Sequence, residues 1–172
     1  MAPGGLIERE RTRSIIGAFY DVYNILGFGF IESVYSAALE QELVERGHAV
    51  SREHAIRVMY NGREIGFQRV DILVDERIVV EIKSTQLLAP TAQRQLFNYL
   101  RATSLEVGLL LHFGPEPKFH RLVSTRREAD PPHPALPRSS VSPVEPRPQP
   151  SANGRIGRAE TSAERWLRDW SS

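Results

Sequence analysis

The chain has 172 residues, 41% of them hydrophobic, with 22 Lys+Arg against 21 Asp+Glu. That describes about one globular domain without the bulk positive charge of a histone-like nucleic-acid binder. Cysteine is absent, which excludes disulfide scaffolds, thiolate metal sites and cysteine nucleophiles. No apolar run approaches the roughly 20 residues that span a bilayer, and the first ten residues lack a signal-peptide core, so a cytoplasmic location is expected.

Residues 8–26 place Ile15, Ile16, Phe19, Tyr20, Tyr23 and Leu26 at helical spacing, with Gly27 as the stop. A second helix is expected over about 30–46, with Ile31, Val34, Tyr35, Ala38, Leu39 and Leu43 on one side and Gly47 at its end. Residues 49–60 read as a strand, and Asn61-Gly62 is a hairpin turn signal. Strands follow at 64–74 and 77–83. Their runs Ile72-Leu73-Val74 and Ile78-Val79-Val80-Glu81-Ile82 suit strands covered on both faces. Pro90 opens a helix that runs to about Arg101, and strands are expected at 106–113 and 118–123.

Eight of the 12 prolines lie between Pro131 and Pro150, so residues 129–158 read as a disordered Pro/Ser-rich linker. It separates a domain of residues 1–128 from residues 159–172, where Ala163, Trp166, Leu167 and Trp170 suit a short amphipathic helix over 160–170. Truncation after Glu128 is therefore expected to shift the melting temperature little. A large drop would show that the two tryptophans pack on the domain.

The basic residues divide into 20 Arg and only two Lys, Lys83 and Lys118. Lys83 sits inside an apolar strand, two residues after Glu81, so the two share a strand face. A three-residue turn at Asp75-Glu76-Arg77 pairs Val74 with Ile78, Leu73 with Val79, Ile72 with Val80 and Asp71 with Glu81. Both carboxylates and Lys83 then face one side. A two-residue turn would put the acids on opposite sides. Two carboxylates about 4 Å apart repel by roughly 4 kcal/mol at an effective dielectric of 20. They need a cation, either Lys83 or a hard divalent metal such as Mg²⁺. Metal-activated water beside a lysine is suited to attack a phosphodiester.

Asp71, then nine residues, then Glu81-Ile82-Lys83 resembles the motif of the PD-(D/E)XK nuclease superfamily. Gly29-Phe30-Ile31-Glu32-Ser33-Val34-Tyr35 is similar to the signature of its GxxExxY branch, and the blocks QRVDILV, VVEIKS, QRQLFNYLRAT and VGLLLHFG follow in order. The resemblance covers about residues 10–124. It implies an α/β, restriction-endonuclease-like core, a mixed β-sheet flanked by helices. By that likeness Asp71, Glu81, the Ile82 carbonyl and Glu32 hold Mg²⁺ or Mn²⁺, and Lys83 orients or deprotonates the attacking water. Gln95 and Tyr99 match a Q-x-x-x-Y element and contact substrate. The implied partner is nucleic acid, DNA being the expectation, and a homodimer is allowed. The sequence itself does not separate DNA from RNA.

Two positions depart from relatives: Ala92 stands where a histidine is common, and His112 where an asparagine is. His112 reads as a strand-end polar residue. The competing reading is a non-catalytic nucleic-acid-binding or protein-interaction module that keeps the fold. The even charge of residues 1–128, 16 basic and 16 acidic, leans that way. A local patch of Arg52, Arg57, Arg63, Arg69 and Arg94 would supply phosphate contacts to a nuclease.

Overall fold

The computed structural model describes residues 7–124. The expected linker, and the helix carrying Trp166 and Trp170, lie outside the described residues. Helices α1 (Arg9–Leu26) and α2 (Glu32–Glu45) come first. The hairpin β1 (Val50–Tyr60) and β2 (Arg63–Val74), then β3 (Ile78–Lys83), α3 (Pro90–Ala102), β4 (Val107–Phe113) and β5 (Pro117–Val123) follow. The strands form one sheet in the order β1-β2-β3-β4-β5. The β3–β4 pair is parallel and the other neighbouring pairs are antiparallel. The fold is the expected mixed sheet flanked by helices. None of the helices among the described residues is long and apolar enough to cross a membrane.

Every residue of β4 is buried, and β3 is buried up to Lys83, so the centre of the sheet is covered on both faces. On one face Phe113 lies 4.7 Å from Phe19 of α1 and stacks at 4.1 Å on Tyr35 of α2. On the other, Leu73, Val79 and Leu110 pack with Leu96, Tyr99 and Leu100 of α3. Gly108 permits that close approach, because a Cβ there would stand 2.8 Å from Leu96 Cδ1.

Helix α2 departs from its expected stripe. Tyr35, Leu39 and Leu43 are buried, but Ile31 and Val34 are exposed, because the helix begins at Glu32 and its first turn rides past the end of the sheet.

The β2–β3 turn is tied to α1 and to the loop before β1. Asp75 accepts hydrogen bonds from Ala49 N–H (2.9 Å) and Arg11 Nε (3.0 Å), and His48 Nδ1 lies 2.8 Å from the same carboxylate. His48 Nε2 lies 2.7 Å from Ser14 Oγ. The chain Ser14–His48–Asp75 has the connectivity of a hydrolytic triad. Ser14 is inside α1, however, where its N–H serves the helix rather than an oxyanion. We read it as a clamp on three elements.

Burial alone would raise the Asp75 carboxyl, but the hydrogen bonds from His48, Ala49 and Arg11 outweigh burial and hold it below the ordinary aspartate value. Its contribution is therefore present above the unfolded-state pKa and fades as pH falls through the depressed folded one. Asp75→Ala is expected to lose on the order of 1–3 kcal/mol at neutral pH. In denaturation series the difference from wild type should shrink on acidification.

Candidate active site

The three-residue turn sets the register foreseen for β2 and β3: Val74 pairs Ile78, Leu73 pairs Val79 and Ile72 pairs Val80. The ladder ends there. Asp71 and Glu81 are not a backbone pair; instead the Asp71 carboxylate accepts the Ile82 N–H at 2.7 Å. The ladder to β1 also skips this point, since Arg52↔Ile72 and His54↔Val70 are paired but Glu53 and Asp71 are not. Glu53 takes φ of +48°, an uncommon conformation for a glutamate within a strand. With its backbone outside both ladders, Asp71 can reach across the opened end of the β2–β3 pair.

Glu81 follows Val79 on the α3 face of β3 and is only 1% exposed. Lys83 Nζ donates to Glu81 Oε1 at 2.6 Å, while Glu81 Oε2 is buried with no hydrogen-bond partner. Burial pushes the Glu81 carboxyl up to about 7; the charge of Asp71 adds to this and Lys83 opposes it. Burial also raises the Asp71 carboxyl, against the pull of the Ile82 N–H and Lys83. Burial acts to lower the Lys83 ammonium, but the hydrogen bond and charge of Glu81, with Glu32 and Asp71 behind it, hold it above the ordinary lysine value. Lys83 is therefore a cation at neutral pH in this arrangement.

Glu32 opens α2 on the far side of the sheet and comes round its end. Its Oε1 accepts the Ser84 N–H at 3.2 Å, and its charge raises both Asp71 and Glu81. Gln95 and Tyr99 meet as expected for positions four apart on a helix, Gln95 Nε2 donating to Tyr99 Oη at 2.5 Å. Tyr99 packs in the core, and it is also close enough to Glu81, Asp71 and Lys83 for their charges to act on its hydroxyl.

The donor set suits a hard divalent cation: two carboxylates, both raised by burial and close enough for the charge of Asp71 to act on Glu81, one with a buried oxygen that has no hydrogen-bond partner. Among the described residues no group of three or more His, Asp or Glu side chains is arranged to hold a metal. A cation at Asp71 and Glu81 would complete its coordination with a backbone carbonyl and water, as Mg²⁺ commonly does.

Two residues matter more than their sequence suggested. His112 stands near the end of β4, as expected of a strand-end polar residue, but it is not exposed. It is buried beside Lys83 in the β3–β4 register, with Nε2 2.8 Å from the Thr85 carbonyl oxygen. A Cβ at residue 114 would overlap its ring, so Gly114 is required. Ser84 joins two loops, its N–H going to Glu32 and its Oγ donating to the Phe30 carbonyl at 2.5 Å. The one available signal was their place next to Lys83 and at the end of an apolar strand.

The foreseen arginine patch is largely internally compensated. Arg52 pairs Glu40, Arg57 pairs Glu64 and Arg69 pairs Glu53.

Residues 9–122 match the family model of the PD-(D/E)XK nuclease superfamily. A solved structure described as "Crystal structure of SSO0001" is similar over 71% of this chain and 62% of that one, with 24% identity and a TM-score of 0.44. No curated protein matches the sequence.

Proposed function

Because the chain belongs to the PD-(D/E)XK nuclease superfamily, we propose that it is a divalent-cation-dependent nuclease of the GxxExxY branch, hydrolysing phosphodiester bonds of nucleic acid, DNA in the first instance. The activity is assigned to residues 1–128. The observation that carries this reading is the Asp71–Glu81–Lys83 arrangement, with Glu81 Oε2 buried and unsatisfied beside a second carboxylate. Asp71, Glu81 and the Ile82 carbonyl would hold Mg²⁺ or Mn²⁺, which when bound supplies positive charge against the phosphate and acidifies water.

The other roles fall to the chain's own groups. Lys83, kept protonated by its neighbours, orients the attacking water and offsets the charge that develops on the phosphate. Glu32 fixes the Ser84 N–H and adds negative potential at the edge of the site. Gln95 and Tyr99, locked together on α3, present polar groups to the substrate backbone.

The test is incubation of purified protein with single- and double-stranded DNA and RNA, in Mn²⁺ or in chelator. Cleavage that needs the metal and disappears in Glu81→Gln supports the reading. The compensated arginines favour one alternative, a binding module that retains the fold without catalysis. Calorimetry separates the two: a nuclease site binds Mn²⁺ and loses it in Glu81→Gln, whereas the module shows no such site.

A further inference from the structure

Two loops meet at the carboxyl end of β3, residues 27–31 before α2 and residues 84–89 before α3. They are held by specific bonds. Ser84 Oγ donates to the Phe30 carbonyl, Thr85 Oγ1 donates to the Leu87 carbonyl at 2.9 Å, and His112 holds the Thr85 carbonyl oxygen. The Tyr35 hydroxyl donates to the Gly27 carbonyl at 2.7 Å, and the Phe30 ring stands edge-on to Tyr35 at 6.2 Å.

These fixed loops nevertheless face apolar side chains outward. Phe30 is 49% exposed, Ile31 69% and Leu87 85%, although Leu88, next along, packs against the core. Phe30 and Ile31 directly precede Glu32, and Leu87 lies four residues after Lys83. Neither loop contains a charged residue.

That combination constrains what the rim can grip. A duplex presents phosphates outward and keeps its base faces stacked, so an uncharged apolar rim gains little from it. An unpaired strand exposes base faces, and stacking or apolar contact with them is favourable whatever the sequence. The geometry points to Phe30, Ile31 and Leu87 as a base-contacting rim that makes unpaired nucleic acid, a single strand or a frayed end, the preferred substrate of the adjoining site. This rests on the nuclease reading for the identity of the ligand.

The probes are three fluorescein-labelled oligonucleotides of equal length: a DNA strand, the same strand built from abasic spacers, and the duplex. Anisotropy titrations in chelator read binding without cleavage. Wild type should bind the base-bearing strand more tightly than the abasic strand and the duplex. Phe30→Ser/Leu87→Ser should weaken binding of the base-bearing strand by about 5- to 100-fold, towards the abasic value. Binding of the other two probes, and Mn²⁺ binding by calorimetry, should stay unchanged. Both residues are exposed, so the double variant should fold, which its melting curve checks.

Equal affinity for base-bearing and abasic strands would overturn the proposal, as would tighter binding of the duplex, an unaffected double variant or no binding of any probe. So would dissociation of a wild-type dimer by the double variant with strand binding unchanged, since the patch would then be a surface for a second copy. Metal binding and cleavage without base-dependent affinity would sink the rim and leave the nuclease reading standing. Base-dependent affinity without metal binding or cleavage would do the reverse.

Discussion

Glu81→Gln is expected to make the protein more stable at pH 8 while removing its cation site. The Glu81 carboxyl is held up to about 7 by burial and by Asp71. The unfolded chain ionises this glutamate near the ordinary glutamate value of 4.5, so between about pH 4.5 and 7 the unfolded state gives up its proton first. Wild-type stability should therefore fall across that window through this group, and level off above it. A neutral amide of similar shape escapes the cost. The gain at pH 8 should be on the order of 2 kcal/mol, after allowance for the lost Lys83 partner. Urea denaturation of both proteins at pH 4, 6 and 8 tests this, and the curves should converge at pH 4. Added Mn²⁺ should raise the stability of wild type and leave Glu81→Gln unmoved, because the proposed cation would bind the folded state through the carboxylate that the variant lacks. A variant less stable than wild type at pH 8 would show that Glu81 is a net structural ion pair with Lys83.

Lys83 carries the second large effect. Lys83→Ala should keep metal binding, since the carboxylates remain and a nearby positive charge is gone. Cleavage should drop by on the order of 10²–10⁴-fold, the usual range for loss of a group that positions or transfers a proton. Lys83→Arg separates neutralisation from positioning. The chain uses Arg at 20 of its 22 basic positions, so arginine is its ordinary cation. The lysine here reaches Glu81 Oε1 at 2.6 Å from a side chain that is 22% exposed. A planar, strongly charged guanidinium does not fit that compact role. Lys83→Arg should restore stability relative to Lys83→Ala without restoring cleavage. Full activity in Lys83→Arg would reduce Lys83 to a counter-ion.

The path of the chain was legible because it is written in local periodicity. The apolar runs at 72–74 and 78–82 mark strands covered on both faces, and Asn61-Gly62 marks the hairpin turn. A turn at Asp75-Glu76-Arg77 sets the register that brings Asp71 towards Glu81. The spacing of Gln95 and Tyr99 likewise predicted their meeting, because a helix brings residues four apart together wherever it packs.

What joins distant segments was decided by packing alone. Nothing within a strand's period says that the ladder stops at Ile72↔Val80, that Glu53 turns to positive φ, or that Asp71 exchanges a backbone pairing for the Ile82 N–H. Glu32 and Ser84 are 52 residues apart and meet because α2 rounds the end of the sheet. The same path exposes Ile31 and Val34, which helical spacing alone put on one side with Tyr35, Leu39 and Leu43. Three of the five arginines read as a phosphate-contacting patch, Arg52, Arg57 and Arg69, pair with carboxylates on neighbouring elements. Sequence determined which residues are apolar, charged or turn-forming, and hence the elements and their register. The tertiary arrangement decided which charges are buried together, because desolvation and pairing depend on elements that only the folded chain brings side by side.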